Sequence, residues 1–208
     1  MLVLFFCVQW YDNNKKVKMF FYEDKMRFNQ QGRSMIEIIA VLAIIGILSV
    51  GGIAGYSKAM AKHKLTKSQD QIQLLTVNIR SAFAGSANYE NLDNISAVKM
   101  NVVPAEMLPG TEVKKETGIV NTFGGDVIIK AKDGNKQRFQ IKFKGIGAVT
   151  CTSLASSDWG TEGLVGIIIS NNITDHEFLQ SALPIKATEA MKYCDGPNDQ
   201  NSITWEFY

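Results

Sequence analysis

Three residues near the start of the chain have types and spacing that suit proteolysis and charge pairing. Gly32 is followed directly by Arg33, and Glu37 comes five residues after the glycine. An apolar run then extends over residues 38–53, interrupted only by Ser49. Cleavage after Gly32 would leave a new α-amino group on Arg33, about one helical turn from Glu37. The segment therefore combines a candidate cleavage site, a candidate assembly charge and a candidate membrane anchor.

Glu37 needs an explanation because a carboxylate at the centre of a bilayer costs on the order of 3 kcal/mol, and less near the edge. One interpretation is an interfacial side chain that simply reaches water. The other is a partner: the amine created on Arg33 of a neighbouring chain, shifted along the helix axis, would meet Glu37 inside the lipid. The glycine five residues upstream favours the second interpretation.

The apolar segment is long enough to cross a membrane. As a helix, residues 38–56 would span about 28 Å, close to a hydrocarbon core of roughly 30 Å. A secretory signal peptide usually has only about 7–15 apolar residues, and a buried core helix of this composition needs a larger protein around it. Six basic residues precede the segment and four follow it, which favours an N-terminus on the cytoplasmic side.

Composition argues against several functional classes. The 208 residues suffice for one domain and an appendage, and a formal net charge of +2 argues against a dedicated nucleic-acid-binding surface. His63 and His176 lie far apart with no metal-ligand spacing around them, and the sequence contains no nucleophile elbow or phosphate-binding loop. We therefore expect no enzymatic activity, no cofactor, no metal ion and no nucleic-acid partner.

The three cysteines divide unevenly along the chain. Cys7 precedes Gly32, whereas Cys151 and Cys194 lie in the C-terminal half. Removal of the first 32 residues would leave two cysteines, a number that suits one disulfide. Two buried free thiols are the alternative, but the membrane segment places the following domain outside the reducing cytosol and favours the disulfide.

The helix that contains the apolar segment is expected to continue beyond it. No proline interrupts residues 34–103, so one helix can extend from about residue 34 to residue 84. Glycines in its middle weaken a helix in water by about 1 kcal/mol each but allow backbones to approach closely in a bundle; they are Gly46, Gly51, Gly52 and Gly55. An apolar stripe with helical spacing then predicts one buried face, and it consists of Leu65, Ile72, Leu75, Ile79 and Phe83.

The C-terminal half is dominated by strand patterns. Alternation of apolar and polar residues around a turn at Asp133 and Gly134 predicts a hairpin with one wet face. The expected fold class is α+β, an antiparallel sheet covered by the apolar stripe of the long helix. The predicted strands are residues 127–129, 138–143, 164–169 and 203–207, and the predicted helices are residues 149–156 and 184–194. Residues 85–125 are expected to form a connecting loop with a minor helix and a short apolar turn between Pro104 and Pro109.

Pro184 is expected in the first turn of its helix, where its missing N–H has no consequence.

The N-terminal constellation resembles the leader and first helix of the type IV prepilins. The resemblance rests on Gly32, on Glu37 and on the apolar residues 38–53. It implies that a prepilin peptidase cuts after Gly32 and methylates the new N-terminus at Arg33, and that Glu37 guides the docking of one subunit onto the next. Arg33 departs from the family pattern, in which an apolar residue usually follows the glycine.

The C-terminal half looks like that of the type IVb pilins, such as the bundle-forming and conjugative-plasmid pilins. The likeness rests on the Asn121-Thr-Phe-Gly-Gly125 segment before the hairpin, on a cysteine in a small helix and on a second cysteine before the last strand. It implies the αβ-roll of a pilin, in which the transmembrane half of the long helix protrudes and the amphipathic half packs on the sheet. It also implies one disulfide between Cys151 and Cys194.

The resemblance further implies a domain order and a function. Residues 1–32 would be a leader peptide, residues 33–56 the transmembrane and filament-core helix, and residues 57–208 a periplasmic or extracellular globular domain. The precursor would lie in the bacterial inner membrane, meet prepilin peptidase and the pilus assembly machinery, and polymerise with itself into an extracellular pilus. Residues 26–32 would themselves form a short leader, so translation from Met1, Met19 or Met26 is left open.

Two alternatives share parts of this description. A minor pilin or a type II secretion pseudopilin would carry the same N-terminal segment. A membrane-anchored periplasmic protein that does not polymerise would carry the anchor without being processed at Gly32.

Overall fold

The computed structural model describes residues 35–160, 163–171, 173–197 and 199–208, together with the backbone of two short strands near the N-terminus. It divides into two units, Met1–Gly52 and Ile53–Tyr208. In the first unit, β1 (Cys7–Val8) and β2 (Phe20–Phe21) pair in an antiparallel manner. Both strands fall within the predicted leader, and no pattern in the sequence predicted them.

The helix α1 (Met35–Ala82) has 48 residues and confirms the long helix expected from the sequence. Hydroxyl groups in its first part bond to the helix itself: Ser49 donates to the carbonyl oxygen of Ile45 (2.8 Å), and Ser57 donates to that of Ile53 (3.0 Å). Such bonds satisfy polar groups without water, as an apolar environment requires.

The predicted apolar stripe of α1 lies in the core of the second unit. Ile72, Leu75 and Ile79 are fully buried, and Leu65 and Phe83 pack against the core at its edge. Burying an aliphatic side chain of this size stabilises the fold by about 1.5–3 kcal/mol relative to leaving it in water. The stripe therefore holds the second part of α1 onto the rest of the domain.

The second unit contains a five-stranded antiparallel sheet, formed by β3 (Val127–Lys132), β4 (Asn135–Ile146), β5 (Leu164–Ser170), β6 (Asp175–Leu179) and β7 (Asn201–Phe207). The spatial order is β3-β4-β7-β5-β6. The hairpin of β3 and β4 and the strands β5 and β7 confirm the predicted strands. Gly134 has the positive φ of 79° that suits the hairpin turn.

The last strand of the chain, β7, is the central strand of the sheet. It lies between β4 and β5, and all seven of its residues are buried. Ile203, Trp205 and Phe207 belong to the core, so alternation along the strand turns Thr204 and Glu206 to the opposite face. We call this opposite side the outer face of the sheet.

Among the described residues, three α-helices follow α1: α2 (Asn94–Lys99), α3 (Ala148–Ala155) and α4 (Ala187–Tyr193). The helix α3 confirms its prediction, and a 3₁₀ turn at Ala105–Met107 occupies the apolar turn between the two prolines. The helix α2 lies in the connecting segment and agrees with the minor helix expected there. Asp93 and Ser96 form a capping box that starts it.

The prediction for Pro184 was wrong, because α4 begins at Ala187 and not in the turn that contains the proline. Leu183 and Lys186 have extended backbone angles, and Ile185 between them is buried. The segment before α4 therefore runs extended so that it can place one apolar side chain in the core.

Asn94 is fully buried and closes the free edge of β3. Its side-chain amide donates to the carbonyl oxygen of Val127 (2.8 Å), and its side-chain oxygen accepts from the backbone N–H of Ile129 (2.8 Å). The backbone N–H of Ala131 donates to the carbonyl oxygen of Leu92 (3.2 Å). These bonds occupy groups that an edge strand would otherwise present to another chain.

Glu206 is a buried carboxylate on the outer face, with 2% of its surface exposed. It forms ion pairs with Lys132 and Arg138, the latter over 3.1 Å, and accepts a hydrogen bond from Gln140 (3.2 Å). Burial alone raises the pKa of the Glu206 carboxyl, but the hydrogen bonds from these three side chains outweigh burial and keep the pKa below the ordinary 4.5.

Replacing Glu206 by Gln should lower the free energy of unfolding at neutral pH by about 2 kcal/mol, because two partly buried cations lose their shared counter-ion. The folded-state pKa of Glu206 is lowered, so its contribution is present above pH 4.5 and is lost as the pH falls through the folded-state pKa. The wild-type chain should therefore lose more stability below pH 4.5 than the variant does.

Urea denaturation of the full chain in a non-ionic detergent, followed by tryptophan fluorescence at pH 7 and at acid pH, measures both effects. Glu112→Gln alters an exposed loop carboxylate and serves as the matched control, with wild-type behaviour expected. A Glu206→Gln variant as stable as wild type at pH 7 would contradict the role given to this carboxylate.

Candidate assembly segment and the disulfide-closed domain

The first part of α1 presents an apolar surface that no other described residue covers. Every side chain from residue 35 to residue 59 is exposed, and the large apolar ones include Ile36, Ile47, Leu48 and Val50. In the part of the chain that the structure describes, α1 is the helix whose length and composition suffice to cross a membrane. A surface of this size is not stable in water, so it requires lipid or other apolar helices.

Glu37 lies in the first turn of α1 and is exposed. Its side chain forms no ion pair or hydrogen bond with another described residue. A carboxylate in a first turn interacts favourably with the positive end of the helix dipole. Gly32 and Arg33 lie outside the described residues, so cleavage between them, methylation of Arg33 and pairing of its amine with Glu37 stay predictions.

Over about two and a half turns of α1, four glycines leave parts of the helix surface without side chains. A Cβ atom placed on any of them meets no other atom within 4 Å, so packing within the described chain does not require glycine there. The helix nevertheless continues through all of them. Small residues on such a surface allow the backbone of a second helix to approach closely. The glycines are Gly46, Gly51, Gly52 and Gly55.

Polar contacts attach the second part of α1 to the loops of its domain. Gln71 donates to the carboxylate of Glu106 (2.9 Å) and accepts from the hydroxyl of Thr122 (2.9 Å), while Lys67 pairs with Glu106 (3.0 Å). The hydrogen bond from Gln71 and the ion pair with Lys67 keep the pKa of Glu106 below its ordinary value. The partners of Gln71 are 35 and 51 residues away along the chain, so no local sequence pattern could predict these contacts.

The predicted disulfide is present and joins Cys151 in α3 to Cys194 at the end of α4. The Cα atoms lie 5.7 Å apart, and both residues are buried. The alternative of two free thiols was therefore wrong. Since the two cysteines are 43 positions apart in the sequence, the link closes a loop that includes β5 and β6 and reaches the segment before β7.

The described residues contain no group of three or more His, Cys, Asp or Glu side chains that could hold a metal ion. His176 stacks on Tyr193, with ring centroids 3.8 Å apart and planes 7° from parallel. This histidine therefore packs among aromatic rings as part of the structure.

A long helix with an apolar first part, an antiparallel sheet and a disulfide near the C-terminus are the features that the resemblance to pilins implies. The PilS N-terminal family matches residues 62–207, and the chain belongs to this family of type IV pilins. The match confirms the type IV pilin indicated by the sequence. Members of the family are structural proteins and not enzymes.

Two solved structures illustrate what the chain is similar to. A crystal structure of a type IVb pilin from Salmonella typhi has 18% identity, covers 66% of this chain and 95% of its own, and gives a TM-score of 0.48. A crystal structure of TcpA, a type IV pilin from Vibrio cholerae El Tor biotype, has 13% identity, covers 70% and 99%, and also gives 0.48. A comparison with curated proteins yields no match.

Replacing both Cys151 and Cys194 by Ser should lower the free energy of unfolding by up to about 4 kcal/mol, the chain-entropy value for a loop of this length. Chemical denaturation of the full chain in detergent, followed by circular dichroism, measures the difference. Cys7→Ser removes a cysteine that is not part of the disulfide and should leave stability unchanged. Equal stability of the double variant and the wild type would mean that the link does not constrain the unfolded chain.

Proposed function

We propose that the chain is a subunit that polymerises into a type IV pilus of the type IVb-like kind through its N-terminal helix. The observation that carries the proposal is the exposed apolar surface of α1 over residues 35–59, in a chain of a type IV pilin family. Association of these surfaces with one another removes them from water and from lipid together. The pilin family also supports self-association as the relevant partnership.

The proposal assigns the parts of the chain as follows. Residues 1–32 are a leader that prepilin peptidase removes, residues 33–56 are the membrane helix and later the filament core, and residues 57–208 form the globular domain. The precursor lies in the bacterial inner membrane, and the assembly machinery transfers the mature subunit to an extracellular pilus. The long apolar helix supports the membrane stage.

Glu37 supplies the register of assembly in this proposal. After cleavage, the amine on Arg33 of one subunit approaches Glu37 of its neighbour. An isolated carboxylate at the centre of lipid costs on the order of 3 kcal/mol, and less near the edge, and a cation at hydrogen-bond distance removes much of that cost. Only a particular axial shift between two helices brings both groups together, so the pairing selects one arrangement.

The glycines of α1 support a second part of the proposal. We expect residues 46–56 to unwind locally in the filament, because glycine is the weakest helix former apart from proline. Continuous helical density over residues 46–56 in a filament would refute the unwinding.

Processing is the first test of the proposed function. Intact mass and N-terminal sequencing of the mature protein should show a chain that begins at Arg33 and carries one additional methyl group. Gly32→Leu should abolish cleavage, whereas Gly85→Leu in the exposed loop after α1 should not. A mature protein that retains residues 26–32 would instead support a membrane-anchored protein that does not polymerise.

Replacement of Glu37 by Ala tests the assembly mechanism. Filaments sheared from the cell surface should fall to a small fraction of the wild-type amount, because the amine on the neighbouring subunit loses its partner, while the membrane precursor stays at its normal level. Glu90→Ala, an exposed carboxylate of the globular domain, should leave assembly intact. Normal piliation in the Glu37→Ala cells would refute the mechanism, and scarcity of the wild-type chain in sheared filaments would indicate a minor pilin.

A further inference from the structure

The outer face of the sheet contains a groove of about 300 Å³. Its floor follows from the strand register, which places Ile128 beside Lys142, Lys142 beside Thr204, and Thr204 beside Ile168 across four strands. Lys144 lies two residues further along β4 on the same face, and its Cα atom is about 7 Å from that of Lys142. The groove thus combines ammonium groups, a hydroxyl group and two aliphatic side chains.

Two of the lysines in the groove lack a counter-ion. Lys130 pairs with Asp133 over 2.7 Å, and Lys132 and Arg138, near the hairpin turn, share Glu206 as their counter-ion. Lys142 and Lys144, by contrast, form no ion pair with a described residue. Lys142 is also half-buried, and burial lowers the pKa of its ammonium group, with the charge of Asp175 only partly opposing the effect.

A half-buried cation without a partner gains from an anion that replaces the lost water. Three lysines and two carboxylates, Glu116 and Asp175, line the groove. Because Lys130 is paired with Asp133, the charges that remain in the groove balance. The two carboxylates limit a ligand to one negative charge, placed at the two lysines that have no ion pair. A polyanion such as a nucleic acid would be repelled by the two carboxylates and needs a longer basic surface.

The remaining groups in the groove suit the other parts of a sugar. Gln140 and Thr204 offer hydrogen-bond donors and acceptors for hydroxyl groups, and Asp175 offers acceptors. Ile128 and Ile168 offer apolar contact for the C–H face of a ring. A groove of about 300 Å³ lies at the lower end of small-molecule sites, which limits the occupant to about one sugar ring.

We propose that this groove binds one acidic sugar residue, with the sugar carboxylate between Lys142 and Lys144 and its hydroxyl groups directed to Gln140, Thr204 and Asp175. All of these residues belong to the globular unit, Ile53–Tyr208. The site therefore does not depend on polymerisation or on cleavage of the chain. It gives the domain a chemical specificity that a purely structural subunit does not require.

Saturation-transfer NMR on the full chain in a non-ionic detergent, with D-glucuronate as the probe, tests the proposal. Glucuronate should bind at least about tenfold more tightly than D-glucose, which has the same ring without a carboxylate. Glucose cannot make the charge-assisted hydrogen bond between that carboxylate and the two lysines. Acetate, which has the carboxylate without the ring, should also bind more weakly. Equal binding of glucuronate and glucose would overturn the proposal.

Variants locate the site. Lys142→Gln and Lys144→Gln should each weaken glucuronate binding about tenfold, while Lys186→Gln, an exposed lysine before α4, should leave binding unchanged. If Lys142→Gln affects folding, Lys144→Gln alone decides the question. Wild-type affinity in a folded Lys144→Gln variant would overturn the proposal, and so would displacement of glucuronate by an equal concentration of an aspartate-rich hexapeptide.

Discussion

A helix makes its backbone hydrogen bonds within itself. The helix α1 can therefore continue without a break from an exposed apolar part into a part that is packed in the domain. Its first part is apolar on all sides and exposed, whereas its second part is apolar on one side and contributes Ile72, Leu75 and Ile79 to the core of the domain. The sheet has no other helix of comparable length among the described residues to cover its inner face. Loss of the stripe would therefore expose the core of the domain to water.

The domain closes around its last strand. Because β7 pairs with both β4 and β5, partners such as Phe139 and Phe207 meet across most of the C-terminal half of the chain. Forming contacts between residues so far apart in the sequence requires closing a long loop, which costs chain entropy. The disulfide between α3 and α4 shortens the effective loop, since it ties Cys194, seven residues before β7, to a helix that follows β4 directly.

The periodicity of apolar residues and the composition predicted most of the helices and strands, but they could not predict contacts between distant segments. The stripe of α1, the hairpin turn at Gly134 and the pairing of Cys151 with Cys194 all follow from spacing, count or compartment. A minor helix was expected within residues 85–125, but its position was not predicted although Asp93 and Ser96 have capping-box spacing, because only six residues follow the cap.

Tertiary context decided the features that the sequence patterns could not predict. Pro184 suits a first turn, but burial of Ile185 requires an extended segment and moves the start of α4 to Ala187. Alternation predicted β7 as a strand but not its central position, which buries Thr204 and Glu206 as well. In the candidate assembly segment, the exposure of Glu37 agrees with its place beside the apolar run, and none of the described residues pairs with it.

The edges of the sheet bear on how subunits can associate. Asn94 and the carbonyl of Leu92 occupy backbone groups of β3 that would accept a further strand. The opposite edge, β6, has only five residues, and the exposed Asp175 and Glu177 would place charge against an incoming strand. Short, charged or covered edges oppose strand-to-strand polymerisation. With both edges protected in this way, the exposed apolar surface of α1 is the more favourable route for a second copy of the chain to bury area, which is why the proposed polymerisation depends on the helix and not on the sheet.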